Sequence, residues 1–566
     1  MRKIAIIGGG PSGLFVVKRL VDSDVKNLRI DIFEKKSVLG SGMPYSTEGA
    51  NEEHITNVSG NEIPELMTSL SDWINTLKPE VLKRFNINKE NFNDYHVFPR
   101  LLFGQYLSDQ FRLLHLKAKD KGIQFKIHRN ALIVDIIDDS KKNSVKIISD
   151  KEKAFSFDHV IVCTGHHWPK INEGKINGYF DSPYPPSKLA LKINHPVAIR
   201  GASLSAVDAV RTLARHNGSF TTEKGKSSFK LSDESDGFKM VLHSRKGLLP
   251  AVRFHLQDSH LGKDTILSNE DIAGNKLLND GFLSLDFVFE KNFKEPLKTK
   301  DPAFYQKIER MEMEEFVQYI MKQRESVDPF DLFRGEYIEA EKSIQRKESV
   351  YWKEMLGVLS FVMNHPAKYF SAEDTLRLHK TLQPLLALVI AYVPQSSVEE
   401  MLALHQSGLL EFISVGDDSY VEPLNEGGAK YYYSNDTNQQ VSIQYQTYID
   451  AVGQPHFTFS DLPFKSLLDQ KIVSSAKIKF RDPSIAIKEK DAGNNKVIID
   501  ENGYYLNVPG IAINDHFQVL NEYGAFNNRI YMMAVPYIGG FNPDYSGLDF
   551  CESASKYVVE SLLKDI

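Results

Sequence analysis

The residues best equipped for chemistry sit at the start of the chain. Gly8-Gly9-Gly10-Pro11-Ser12-Gly13 satisfies the pattern G-x-G-x-x-G. An apolar run from Lys3 to Ile7 leads into it, and Leu14 to Val21 follow with helical spacing of apolar residues. A second apolar run, Leu28 to Phe33, ends at Glu34, 21 residues after Gly13, with Lys35 next. The order strand, glycine turn, helix, strand, acid is that of a dinucleotide site. In such a site Gly8 permits the tight turn, Gly10 lets backbone amides approach a pyrophosphate, and Gly13 lets the helix pack closely on the strand. Pro11 and Ser12 open a helix whose N-terminus carries partial positive charge, and Glu34 accepts hydrogen bonds from a ribose diol.

Similar pieces recur further along. Phe157 to Thr164-Gly165 reads as an apolar strand ending in a glycine turn, and Tyr448 to Gly453 repeats it late in the chain. Between them, His195 to Gly201 leads into Gly201-x-Ser203-x-Ser205-Ala206 and a helix to about Arg215. Serine replaces the central glycine at Ser203, which adds a hydroxymethyl where backbone should approach phosphate; the hydroxyls of Ser203 and Ser205 are alternative phosphate donors. A polar loop is expected over 217–237. Beyond it the strand Lys239 to Ser244 ends in Arg245-Lys246 rather than an acid, a choice that suits the 2′-phosphate of NADPH. Near the C-terminus, Arg529 to Val535 reads as another buried strand. It leads through the Pro536 to Asp544 turn, with Gly540 in it, toward a helix over 548–563 that is expected to face a flavin ring.

These residues resemble a bacterial FAD/NAD(P)-binding oxidoreductase family related to the N-hydroxylating flavoprotein monooxygenases of the amino-acid type. The likeness rests on the first glycine loop with Glu34, on Gly40-Ser-Gly42-Met-Pro-Tyr45 and His54-Ile-Thr-Asn57, and on Phe98-Pro-Arg100. It continues in Cys163-Thr-Gly165, Gly201-x-Ser203-x-Ser205-Ala-x-Asp208 and Ser244-Arg245-Lys-Gly247. The resemblance implies FAD in the first unit, with Glu34 on its ribose, Gly42 in the same site and Asn57 close to the flavin. It implies NADPH in the second. Arg100 is a further candidate, as an anchor for cofactor or for a substrate carboxylate, with an exposed or structural arginine as the alternative.

All of these elements must be positioned by 566 residues, of which 42% are hydrophobic and 25% charged, ordinary for a folded protein. A single core rarely grows past roughly 250–300 residues, so several domains are expected. The expected fold is α/β, with two Rossmann-like dinucleotide-binding domains. The motif order assigns 1–170 and 441–566 to a discontinuous FAD domain, and 190–255 to an NAD(P) domain with 409–440 as its candidate continuation. It leaves 256–408 as a mainly helical insert, with amphipathic helices over 304–324 and 351–363 that form either a covering layer or a lid, and a buried helix over 385–393.

A net charge of -6 gives no basic surplus for nucleic acid. The longest apolar run, Leu385 to Val393, is about half the roughly 20 residues that span a bilayer, so no membrane partner is expected. Two cysteines outside any C-x-x-C pair, with no secretion signal visible, suggest a cytoplasmic, reducing setting and disfavour a disulfide reductase. No metal-type spacing, Ser-His-Asp order or carboxylate dyad stands out, so catalytic residues are left unassigned. The activity expected is NADPH-dependent flavoprotein monooxygenation of a small substrate by molecular oxygen, with an amine nitrogen as the candidate position. The alternatives are a reductase or oxidase that passes electrons to another acceptor, and a non-catalytic flavin-binding protein.

Overall fold

The computed structural model describes residues 1–25, 27–223, 225–257, 267–435, 437–543 and 547–564. Its frame is two parallel sheets. The first holds, in spatial order, Gln518–Leu520, Phe526–Met532, His159–Val162, Arg2–Ile7, Leu28–Glu34 and Gln124–Arg129, antiparallel only at the Gln518–Leu520 edge. The second holds Tyr179–Phe180, Thr447–Asp450, Pro196–Arg200, Lys239–Ser244 and Leu410–Ser414, parallel throughout. Parallel strands are covered on both faces, which accounts for the unbroken apolar runs such as Ile4 to Ile7 and Val160 to Val162. The fold is therefore α/β with two dinucleotide-type units.

One hydrophobic core joins the N-terminal unit to residues 457–562, through Phe457, Ile530, Met532, Phe550 and Val558 among others. The helix Gly547–Lys564 lies against the first helix, Pro11–Asp22, and Arg19 ties them by ion-pairing Glu552 at 2.5 Å. The chain thus leaves the first unit and returns to it. The point of return differs from expectation: Gln440–Tyr445 and Thr447–Asp450 belong to the second unit, not to the FAD unit that was to resume at 441. Thr447–Asp450 pairs with Pro196–Arg200 and completes that unit's own sheet, so the crossing falls near Gly453.

Two further expectations are corrected. The stretch 217–237 contains a β-hairpin, Gly218–Glu223 with Lys226–Leu231, because alternating side chains around Phe220 and Phe229 pack on the second core. The 256–408 insert is helical, but Gln395–Gln406 packs into the second unit through Val398, Met401 and Leu404, with Glu400 held by Arg211 and Arg215. Leu285, Phe293, Phe316, Leu359 and Leu385 belong to a separate core spanning 267–389. The expected helix over 304–324 is broken into Pro302–Ile308 and Met313–Glu325, and Tyr351–Val362 is buried nearly all round rather than amphipathic. Gln383–Val389 ends before Ala391, so only the first part of 385–393 is helical.

The chain enters and leaves the insert at two adjacent points, and Phe330, Phe333 and Ala340 of the insert also pack into the second unit's core. Val252 and Val393 form a parallel bridge, with Arg253 N–H donating to Val393 O at 2.9 Å and Val393 N–H to Ala251 O at 3.0 Å. Among the described residues no helix is long and apolar enough to cross a membrane.

Gly104, in the helix Arg100–Asp120, shows how tightly the first unit is packed. A Cβ there would lie 1.9 Å from Tyr45 O. Gly104→Ala gains about 1 kcal/mol of helix propensity, but backbone must move to admit the methyl, at about 1–3 kcal/mol. The variant is expected to unfold at lower urea concentration than the parent, and a raised midpoint contradicts the close approach.

Candidate functional site

The two units build the same turn twice. In each sheet the chain moves from its first strand to one side and later returns on the other, which opens a crevice at the C-terminal strand ends. Gly8 N–H donates to Phe33 O at 2.9 Å and Cys163 N–H to Ile7 O at 2.7 Å; Gly201 N–H donates to His243 O at 2.8 Å and Ala451 N–H to Arg200 O at 2.8 Å. Gly8 has φ +106° and Gly201 φ +108°. A Cβ would sit 2.5 Å from Cys163 O at the first and 2.9 Å from Ala451 O at the second. Glycine is required at both by backbone angle and by space.

Gly10 and Ser203 are also equivalents. Both cap their helices, at φ -78°, ψ -164° and φ -89°, ψ -165°, with no side-chain capping bond and no acid in the first turn. The conformation is one that any residue adopts, and the Ser203 side chain is exposed, so serine does not distort this turn. Each helix therefore presents free first-turn amides to an anion. Gly13 abuts Gly8 O, which a Cβ would approach to 2.3 Å; the corresponding Ala206 is fully buried.

Around the first turn, Glu34 is buried and accepts from Gly9 N–H at 2.8 Å and Lys36 N–H at 2.9 Å. Each carboxylate oxygen keeps a second lone pair for a ribose hydroxyl. Lys35 is exposed beside it, and Gly42, at φ +60°, closes over Gly10 and Pro11. Thr164 is half-buried, while at Gly165 and Gly453 a Cβ would meet nothing within 4 Å, leaving open space between the two crossings. His166 and Gln454 join those crossings by a 2.7 Å hydrogen bond. At the second unit's strand end Arg245 and Lys246 are exposed with no ion-pair partner among the described residues. These features fit an FAD in the first crevice and a phosphorylated nicotinamide dinucleotide in the second.

Three candidate residues are spent differently from expectation. Ser12 Oγ lies 3.3 Å from Cys551 Sγ on the C-terminal helix, a contact within the protein. Gly540 is not at a helix start: its N–H donates to Pro509 O at 2.9 Å and a Cβ would meet Val508 at 2.5 Å, so it closes packing against the Gly503–Ile511 strand. Asp544, at the end of the turn expected there, lies outside the described residues. Arg100 anchors no free carboxylate. Its Nη1 and Nη2 donate to the two oxygens of Asp208 at 2.6 and 3.2 Å, and its Nε donates to Ile55 O at 3.0 Å.

That pair centres a buried network linking the units. Tyr184 O–H donates to Asp208 Oδ2 at 2.8 Å. His54, fully buried, accepts at Nδ1 from Asn51 N–H at 3.0 Å, so its Nε2 carries the proton and faces Thr212 Oγ1 at 3.1 Å; Thr212 in turn donates to Glu53 at 2.7 Å. Burial pushes the Asp208 carboxyl up, but Arg100 and Tyr184 outweigh it and the net shift is downward. Burial holds His54 below its ordinary value and raises Tyr184. The sequence shows His54, Arg100 and Asp208 only as motif residues; Thr212, Tyr184 and Glu53 carry no periodic signal. Asn57 is half-buried, and its carbonyl is held by the buried Arg253, which also bonds Ser59 and Glu62.

Residues 5–167 match the family model described as FAD-NAD(P)-binding. Residues 268–390 match the YdhS-like middle domain, which overlies the helical core of the insert. The chain is 29% identical over 478 residues to the uncharacterized protein YdhS of Escherichia coli (strain K12), covering 83% of this chain and 86% of that protein. Similar solved structures include the reduced ornithine hydroxylase PvdA of Pseudomonas aeruginosa, 11% identical with TM-score 0.48 over 100% of this chain and 99% of that one. The ornithine N-hydroxylase of Kutzneria sp. 744 is 10% identical with TM-score 0.44 over the same shares.

Two variants test the site. Gly10→Val drives a branched side chain, starting 3.2 Å from Gly42 Cα, into the pyrophosphate cradle. The purified variant is expected to be colourless, and a fully flavinated one contradicts the assignment. Arg100→Met strands the Asp208 charge and is expected to cost about 3–5 kcal/mol. Adding Asp208→Leu removes the stranded charge and restores most of that, a coupling that a double-mutant cycle in urea reads directly.

Proposed function

We propose that this chain is an FAD-dependent oxidoreductase that takes hydride from NADPH and hydroxylates a small organic substrate with molecular oxygen, at an amine nitrogen in the preferred reading. The observation that carries the two-cofactor part is the duplicated turn. Gly8 with Gly10 and Gly201 with Ser203 present uncapped helix N-termini at the ends of two parallel sheets. The hydroxylation and the amine rest on the motif resemblance.

When bound, FAD supplies a two-electron carrier between hydride donor and oxygen. The chain's own residues bind and orient. Glu34 takes the adenosine ribose of FAD, the amides following Gly10 take its pyrophosphate, and those following Ser203, with the Ser203 and Ser205 hydroxyls, take that of NADPH. Arg245 and Lys246 receive the 2′-phosphate. Gly165 and Gly453 leave room where the crossings meet, and Asn57 stands at the flavin end on a strand fixed by Arg253. No residue is assigned as acid or base. A cytoplasmic setting goes with this reading.

The decisive experiment mixes the yellow protein with NADPH in air and follows flavin bleaching, oxygen uptake and peroxide. Bleaching with oxygen uptake and little peroxide in the presence of an amine substrate supports the proposal. Bleaching with stoichiometric peroxide whatever amine is added favours an oxidase, and no bleaching favours a non-catalytic flavin protein. Arg245→Ala is expected to raise KM for NADPH by about ten- to a hundredfold, the worth of a charge-assisted hydrogen bond. KM for NADH should stay unchanged, and equal changes for both remove the 2′-phosphate role.

A further inference from the structure

The helical insert carries a cavity that the dinucleotide reading does not use. It lies among Met313–Glu325, Pro329–Arg346 and Tyr351–Val362, measures about 460 Å³, and is lined by Arg324, Gly335, Glu336, Glu339, Trp352 and Lys353 among others. A second hollow of about 410 Å³ shares Gly335 and Glu339 and reaches Ser349 and Arg346. Volumes of this size suit small organic ligands.

The charges in the wall are unusual. Arg324 Nη1 and Lys353 Nζ both donate to one oxygen of buried Glu336, at 2.6 and 2.8 Å. Two buried cations thus share one buried carboxylate. The balance is made by Glu339, which Lys353 reaches at 2.7 Å and whose side chain is 47% exposed. Asp331, the other acid in the wall, is exposed and pairs with Arg334. Arg324 is 5% exposed, yet its Nε, and the Ser349 Oγ in the adjoining hollow, have no hydrogen-bond partner among the described residues. Buried donors are ordinarily satisfied. Trp352 offers a ring, itself stacked on Phe304 at 5.7 Å between centroids.

We propose that this cavity binds a small organic monocarboxylate with an apolar or aromatic body. The carboxylate accepts from Arg324 and Lys353 and takes over the charge balance from the half-exposed Glu339, while the body lies against Trp352. The site is separate from the dinucleotide crevices, and it is wired to the frame: Arg324 Nη2 donates to Leu249 O at 3.2 Å, four residues before Arg253.

The test uses the full chain and 3-phenylpropionate as probe, with 3-phenylpropanamide as its neutral counterpart, read by tryptophan fluorescence. A saturable change with the carboxylate, and binding of the amide weaker by about tenfold or more, is expected. Gly335→Leu fills the cavity; a Cβ there meets nothing within 4 Å, so the fold tolerates it, and the response should disappear with circular dichroism unchanged. Glu339→Gln removes the competing carboxylate and should tighten binding. No saturable response up to ~10 mM, far above the range of specific sites, overturns the proposal. So does equal binding of acid and amide, an undiminished response in Gly335→Leu, or weaker binding in Glu339→Gln. None of these readouts depends on flavin or nicotinamide.

Discussion

The Arg100–Asp208 pair is the interaction on which the arrangement of the two units depends. Arg100 opens the helix that runs behind the first sheet, and Asp208 sits one turn into the helix that follows the second glycine turn. Two charges this deeply buried are tolerated only with near-complete hydrogen bonding. The guanidinium meets that condition through Ile55 O and both oxygens of Asp208, and the carboxylate through Arg100 and Tyr184. A rotation of one unit against the other would strand both charges at a cost of several kcal/mol. The second crevice is thereby held in one fixed relation to the first, and His54, Thr212 and Glu53 extend the same join.

The frame was largely legible in the sequence because parallel sheets write themselves as apolar runs followed by glycine. Arg2–Ile7, Leu28–Glu34, Pro196–Arg200 and Lys239–Ser244 all lie where those runs stand, and both turn glycines follow their strands directly. What escaped was whatever depends on partners distant in sequence. The Gly218–Leu231 hairpin is polar on one face and reads as a loop until its Phe220–Phe229 pair is seen packed. Gly540 reads as a turn glycine because nothing in its neighbourhood announces that Pro509 will lie against it. Arg100 leaves the choice between anchor and structural residue open, because its partner is 108 residues away.

Ser203 illustrates what a residue pattern leaves out. Its departure from the glycine pattern puts a hydroxymethyl where backbone should approach phosphate, and the pattern lists residue types rather than backbone angles. Of the three fingerprint positions, only the first has a positive φ in both units. The second needs closeness to phosphate rather than unusual backbone, and a hydroxyl pointing outward is compatible with that. The third needs a small side chain, which alanine supplies.

The paired entry and exit points at Val252 and Val393, the doorway of the insert, have an architectural consequence. Since the chain departs and returns through neighbouring segments joined by their own hydrogen bonds, the insert is a parenthesis in the sequence. Its helices are also seated on both units, with Phe330, Phe333 and Ala340 in the second core and Lys368 and Tyr369 on Asp515 of the first, so those contacts must be kept along with the doorway. A dinucleotide frame can in this way acquire a whole helical module at one point on its rim, and the module inherits a fixed address beside the strand that carries Asn57.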